Sequence, residues 1–363
     1  MLKVGIIGYG YMGEIRKRVV DASPRLALSG ICERDKSKVQ HLKGVTIYDR
    51  PESLLNSDTD IVCVCTPNNS IPDLVVRALD KGKHVFCEKP PGRNIHDVEK
   101  MRKAELQNQN CKLMFGFNHR YHPAILRAKK IVVGGSLGKV LWLRGLYGKS
   151  GGRHFRTSWR NRKEISGGGI LLDQGIHMLD LFNYICSDSN FTNIKAVMGN
   201  KHWGGEVEDN AFIIMENGAG QHACLHSSAT LWKHQFKLEI GLEDGYLTVE
   251  GFLSKTGSYG RESLTIGRRQ FEDEAEAIGN PSEEIIYFDQ DRSWEIEFAS
   301  FVSCILENKP VVESTSLDAL NAMSIVESAY EDSQYYISEE VNDGIFDSKF
   351  EAKSGGYQTG HRT

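Results

Sequence analysis

A run of strand-forming residues, His84-Val-Phe-Cys87, passes directly into Glu88-Lys89-Pro90-Pro91, a carboxylate, an amine and two prolines. Open α/β sheets hold their ligands beyond the carboxyl ends of parallel strands, so an amine at a strand end stands where chemistry is done. A second pair comes from Gly167-Gly-Gly-Ile-Leu-Leu-Asp173-Gln-Gly-Ile-His177. Asp173 and His177 are spaced i, i+4 and would share one face of a helix. Amine, carboxylate and imidazole together can move a proton. The imidazole, with an intrinsic pKa of about 6.5, can accept a proton and return it. Lys89, partly buried and near another cation, would titrate lower than a free lysine and could carry the proton instead. Asp173 could orient the imidazole or bond a neighbouring hydroxyl. Both proton assignments stand at this level.

What must position these groups is read from the flanking elements. A strand over 3–8 leads into Gly8-Tyr9-Gly10-Tyr11-Met12-Gly13, and a helical pattern follows over 12–22. This is G-x-G-x-x-G between a strand and a helix, the context that gives it meaning. Gly8 permits the tight turn, Gly10 lets backbone approach a pyrophosphate, and Gly13 lets helix and strand pack closely. The helix N-terminus offers unpaired N–H donors to phosphate. A strand over 26–33 ends at Glu33, about 20 residues past the last glycine, where a carboxylate binds the ribose hydroxyls and repels a 2′-phosphate. NAD is therefore expected, while the adjacent Arg34 keeps NADP as an alternative. A buried strand over 60–65 ends at Thr66-Pro67-Asn68, which either touches the dinucleotide or forms a plain turn. A helix over 71–81 stops at Gly82. The strand into Glu88, a helix over 94–107 and a strand over 112–116 complete a doubly wound parallel sheet. On this reading Lys89, Asp173 and His177 meet over one bound dinucleotide.

After residue 120 the rhythm changes. A helix is expected over 123–133 and an alternating strand from 139. Residues 149–164 concentrate Lys149, Arg153, Arg156, Arg160, Arg162 and Lys163 against Glu164, with Trp159 among them. Such a run is either a solvated face or an anion-binding loop; on the second reading Arg153 and Arg156 are substrate contacts. A helix over 171–186 carries Asp173, His177 and a structural Asp180. Alternating segments at 192–199, 209–216, 219–230, 234–241 and 245–251 read as an antiparallel meander. Residues 257–283 read as an extended loop or hairpin. Helices are expected over 291–307 and 316–337, with a polar tail from Asp343. The domain division is 1–120 and 121–363, the second carrying substrate binding and oligomerisation.

Bulk properties set limits. The chain has 363 residues and a formal charge of −4, so no global basic field points to nucleic acid or an acidic membrane. No run of about 18 apolar residues marks a membrane span. The N-terminus opens directly on a strand rather than a signal peptide, so a cytoplasmic location is expected. None of the eight cysteines forms a C-x-x-C pair. His222 and His226 share a strand face without a recognisable third ligand, so no metal site is expected. A large sheet with one face to cover suggests a homodimer or homotetramer.

The glycine turn, Thr66-Pro67-Asn68, Gly82-Lys-His-Val-Phe-Cys-Glu-Lys-Pro90, Gly116-Phe-Asn-His-Arg-Tyr-His-Pro123 and Gly167-Gly-Gly through His177 together resemble the glucose–fructose oxidoreductase, inositol dehydrogenase and MocA-type oxidoreductases. The resemblance covers most of the chain. It implies a Rossmann domain followed by a domain with a large open, mostly antiparallel sheet. It implies that Lys89, Asp173 and His177 are the catalytic set and that Glu88 lies near the nicotinamide ribose. It also implies cofactor contacts from Asn118, Trp159 and Arg160 and a substrate contact from Arg120. The implied activity is NAD-dependent hydride transfer to or from a secondary hydroxyl of a sugar, sugar nucleotide or cyclitol. A dinucleotide-sensing regulator without turnover, or a non-redox relative that recycles NAD, are the alternatives. Two departures stand out: Ile71 occupies a position where many relatives have His, and Pro91-Gly92 replaces small aliphatic residues.

Overall fold

The computed structural model describes residues 1–152, 155–187, 189–254, 256–273 and 276–335. Its first sheet is built from β1 (Leu2–Ile7), β2 (Leu26–Cys32), β3 (Ile47–Tyr48), β4 (Ile61–Val64), β5 (His84–Cys87) and β6 (Leu113–Phe115), joined through α1 (Tyr11–Ala22), α2 (Pro51–Leu55), α3 (Ile71–Asp80) and α4 (Ile95–Gln107). All its pairings are parallel, in the order β3-β2-β1-β4-β5-β6. The strands are short apolar runs because both faces are covered. Val4, Ile6, Ile61, Cys63 and Phe86 cluster with Val19 and Val20 of α1. Ile7, Val62, Val64, Val85 and Cys87 cluster with α3 and α4 through residues such as Val75 and Val98. Asn94 caps α4 by accepting the Asp97 N–H at 3.0 Å.

Strand order reverses between β1 and β4, which opens a crevice at their carboxyl ends. The glycine turn lies there and its sequence is dictated sterically. Gly8 has φ +92°, and a Cβ on it would fall 2.6 Å from the Cys65 carbonyl oxygen; one on Gly13 would fall 2.3 Å from the Gly8 carbonyl oxygen.

The second sheet follows α5 (Pro123–Val133). It comprises β7 (Val140–Gly148), then, beyond α6 (Lys163–Ser166) and α7 (Ile176–Ile185), β8 (Phe191–Gly199), β9 (Asn210–Asn217), β10 (His222–Ser228), β11 (Gln235–Leu242), β12 (Gly245–Glu250), β13 (Glu262–Arg268) and β14 (Glu283–Phe288). The order is β14-β13-β12-β11-β7-β10-β9-β8. This corrects the simple meander: β7 is inserted between β10 and β11 and runs parallel to β10. Residues between β7 and β8 cross the buried face and carry α7 onto it. Part of the segment expected to be irregular forms β13. The described residues close with α8 (Ser293–Leu306) and α9 (Ser316–Ser333), the latter started by a Thr315–Asp318 capping box. Phe298 and Phe301 of α8 pack edge-on against Phe86 of β5, so this late helix returns to the first sheet. The last residues assigned to the final helix, 336–337, and the tail from Asp343 lie outside the described residues.

Candidate active site

Lys89 stands where β5 ends, directly after Glu88. Across the crevice the polypeptide enters the second domain's helix through a π-helical turn, Leu171–Gly175, before α7 begins. The expected single helix is therefore two pieces. The wider turn carries Asp173 out of strict α register with His177. The Lys89 Nζ donates to the Asp173 carbonyl at 2.7 Å and lies 3.8 Å from its carboxylate. Lys149, at the end of β7, donates to the same carboxylate at 2.8 Å, and Arg160 Nε approaches it at 3.4 Å. Arg160 also lies over the Trp159 ring at 4.5 Å. Asp173 is thus the anionic hub of three cations, and no hydrogen bond joins it to His177 among the described contacts.

His177 is held in another way. Its ring stacks on His119 with centroids 3.5 Å apart and planes at 11°. His119 is fixed in turn by the Tyr147 hydroxyl, 3.0 Å from Nε2, and by Asn118 Oδ1, 3.2 Å from Nδ1. The Nδ1 of His177 is buried and has no hydrogen-bond partner among the described residues.

These surroundings set the charges. Burial pushes Lys89 down, Asp173 partly restores it, and the charges of Arg160 and Lys149 lower it further, leaving it at about 8. Burial would push Asp173 up, but Lys149, Lys89 and Arg160 outweigh it and hold the carboxyl well below its usual range. Burial and the Lys89 charge push His177 well below an ordinary histidine, so its imidazole is neutral at physiological pH.

On the cofactor side the residues fit a dinucleotide. A Cβ on Gly10 would meet nothing within 4 Å, so the turn faces open space at the α1 N-terminus. Glu33, half-buried, accepts the Tyr9 and Asp35 N–H groups at 2.7 and 2.9 Å, which fixes its carboxylate beside the glycine turn. Arg34 and Tyr11 are exposed and Met12 half-buried. Thr66 takes a hydrogen bond from Ser70 at 2.8 Å, and Pro67 is exposed. Asn68 is buried and donates to the Ser166 carbonyl at 2.7 Å, tying the first domain to the second.

Several of the expected contact residues have partners within the protein. The Glu88 carboxylate is buried, 2.6 Å from Arg16 Nε, rather than free toward a ribose. Arg16, fully buried on α1, also donates to Glu297 of α8 at 2.8 Å. Arg120 is no substrate ligand in this geometry. It is buried in a bidentate pair with Asp180 at 2.8 and 2.5 Å, with Asp318 at 3.1 Å. The Asn118 amide donates to Ser293 at 3.2 Å. Arg156 is exposed beside Gly204, and Arg153 lies outside the described residues. Sequence reasoning passed over Lys149, His119 and Tyr147 as site residues. Lys149 had a signal, since it heads the basic stretch at a strand end. Arg16 had one too, a cation at helical spacing among Ile15, Val19 and Val20.

The family follows from two matches. Residues 2–117 fit the model described as oxidoreductase family, NAD-binding Rossmann fold, and residues 125–248 fit the GFO/IDH/MocA C-terminal domain. The chain belongs to the Gfo/Idh/MocA oxidoreductase family. Its N-terminal domain is accordingly an NAD-binding one. Similar family members include a levoglucosan dehydrogenase of Pseudarthrobacter phenanthrenivorans, 30% identical over 219 residues, 54% of each chain. A myo-inositol 2-dehydrogenase of Thermotoga maritima is 31% identical over 192 residues, 52% of this chain and 55% of that protein. The alignments thus span about half the length of these relatives. A solved levoglucosan dehydrogenase in complex with NADH superposes with a TM-score of 0.78 at 22% identity, covering 92% of this chain and 98% of the other, which establishes the shared fold.

Proposed function

We propose that this protein is an NAD-dependent dehydrogenase that moves a hydride between the nicotinamide and a secondary hydroxyl of a sugar, sugar nucleotide or cyclitol. The observation that carries the reading is Lys89. It is a lysine of lowered pKa at the end of β5, braced by Asp173 and close enough to His177 to depress its protonation. Bound NAD would supply the hydride acceptor, held by the glycine turn and Glu33. The protein's part is the proton. With the hydride given up to bound NAD, the hydroxyl proton would pass to a protein base, leaving a carbonyl. Neutral His177 can accept that proton, and so can Lys89 in its uncharged form. Lys89 in its charged form bonds the reacting oxygen and stabilises negative charge on it. Asp173, kept ionised by its three cations, fixes Lys89 and offers an acceptor to an adjacent hydroxyl. Three cations facing one carboxylate keep acidic and nucleotide-linked sugars within the substrate class.

The open face of the second sheet supports assembly as a homodimer or homotetramer. No described helix is long and apolar enough to cross a membrane. We place the enzyme in the cytoplasm.

The test is nicotinamide absorbance on a panel of free sugars, inositols, sugar acids and UDP-sugars, with NAD and NADP in parallel. Turnover of one class with NAD, lost in Lys89→Ala, is expected. Tight NAD binding without turnover of any member would move the protein to a non-catalytic sensor.

A further inference from the structure

The active site opens beside a cluster of aromatic rings that the proton chemistry does not use. Three loops supply it: residues 149–152 and 155–158 after β7, residues 200–206 between β8 and β9, and residues 229–234 between β10 and β11. Trp203 lies 5.2 Å from Phe155 and 6.1 Å from Trp232, and His202 lies 4.7 Å from Trp232 at 77°. The cluster is anchored from below, since Trp203 Nε1 donates to the Ala229 carbonyl at 3.0 Å. Its link to the catalytic centre is one side chain long. The Lys149 Nζ that bonds Asp173 is 5.9 Å from the Phe155 ring, and the Lys149 carbonyl accepts the Leu231 N–H at 3.4 Å.

Trp232 is the member that stability does not explain. It is 60% exposed, and its backbone sits at φ +55°, a left-handed conformation that a bulky side chain rarely adopts. Strained backbone that presents a large ring to solvent marks a binding function rather than packing. The chemistry of the rings says what they would bind. An aromatic face carries negative quadrupole potential and attracts polarised C–H groups, and a pyranose presents such a face with hydroxyls around its edge. Arg156 lies beside Gly204 of the same cluster and brings donors that could reach such hydroxyls.

We infer that Trp232, His202 and Trp203 form a subsite for a second sugar ring, so that the substrate is a disaccharide or longer oligosaccharide rather than a single ring. The inference rests on the dehydrogenase reading and names the substrate class of that site. The NAD-loaded enzyme would be assayed on methyl β-glucoside, cellobiose, maltose, sucrose, trehalose and UDP-glucose. Tryptophan fluorescence would be titrated with the same compounds in the presence of NADH. At least one disaccharide is expected to exceed methyl β-glucoside in kcat/KM. Trp232→Ala should remove about tenfold of that advantage through KM while leaving methyl β-glucoside unchanged. His202→Ala, a separate exposed position, should act in the same direction. Turnover of the single ring with no disaccharide gain overturns the subsite and leaves the dehydrogenase standing. No turnover, with a disaccharide quench that depends on Trp232, keeps the subsite and sinks the dehydrogenase. A gain confined to UDP-glucose, an effect of Trp232→Ala on all substrates alike or on oligomeric state instead, or silence in both assays overturns the inference.

Discussion

Lys89 and Asp173 each keep only 16% of their side-chain surface exposed, and what surrounds them decides their protonation. Oxidation needs Lys89 uncharged if it is the base, and that form grows as pH rises through about 8. The value of kcat/KM for oxidation should therefore climb along a limb centred near that pH, and reduction should fall along it. Lys89→Ala should erase the limb and cost on the order of 10²–10⁴-fold. Lys149→Met removes a cation that lowers Lys89 and leaves Asp173 freer to raise it, so the limb should move to higher pH. A limb that survives Lys89→Ala assigns the titration to another group. Arg120 shows the opposite outcome for a charged residue in a suggestive motif. Its bidentate pair with Asp180 is buried, so removing one partner strands the other. Arg120→Met should lose about 3–5 kcal/mol in denaturant unfolding. The substrate KM of the folded fraction should not move; a raised KM would return Arg120 to the substrate.

At the scale of elements, Arg16 joins three of them: α1, which bears it, the end of β5 through Glu88, and α8 through Glu297. Burial, eased by Arg16 and reinforced by Glu88, raises the Glu297 carboxyl from an ordinary 4.5 to about 8. Between those values the folded protein holds a proton that the unfolded chain has released. Stability must therefore be greatest below about pH 4.5 for this group and fall as pH rises through 8. Glu297→Gln should flatten that decline in midpoint-versus-pH measurements, and a decline of unchanged slope would place its origin elsewhere. The elements themselves were largely legible. Continuous apolar runs such as Ile61–Val64, punctuated by Gly8, Gly82 and helix caps, specify the parallel sheet through local rules. The glycine turn was legible because steric demands at Gly8 and Gly13 admit no other residue. The parallel pairing of β7 with β10 was hidden, since alternation tells which face a residue takes but not which strand lies beside it. The π-helical turn at Asp173 was hidden too, because a one-residue expansion leaves the apolar spacing nearly intact. The buried ion pairs of Glu88 and Arg120 were hidden for one reason. A buried charge and a ligand-binding charge look alike until the partner, Arg16 or Asp180, is brought in from a distant segment.

Across the whole molecule, the second sheet is covered on one face and bare on the other. In β9, Ala211, Ile213 and Met215 are buried, while Phe212 and Ile214 are 52% and 65% exposed. The register lines the bare face into rows. Val197 pairs with Phe212, Phe212 with His226, His226 with Leu146, and Leu146 with Lys237. The next row runs Lys195, Ile214, Cys224, Arg144, Glu239. An apolar strip is thereby flanked by the Arg144–Glu239 pair on one side and the Lys195–Asp332 pair on the other. A strip of this kind suits a two-fold contact, in which the same patch meets itself and its charged borders fix the register. A lasting interface needs roughly 1,200–2,000 Å² in total, which a face of five strands can supply. Placing carboxylates at both Phe212 and Ile214 would bury unpaired like charge at the centre of that contact, a cost of several kcal/mol. Phe212→Glu with Ile214→Glu should halve the mass measured by light scattering at micromolar concentration. Both side chains point to solvent in the single chain, so its far-ultraviolet dichroism should not change. An assembly that keeps its mass through both substitutions would show that the subunits meet through another surface.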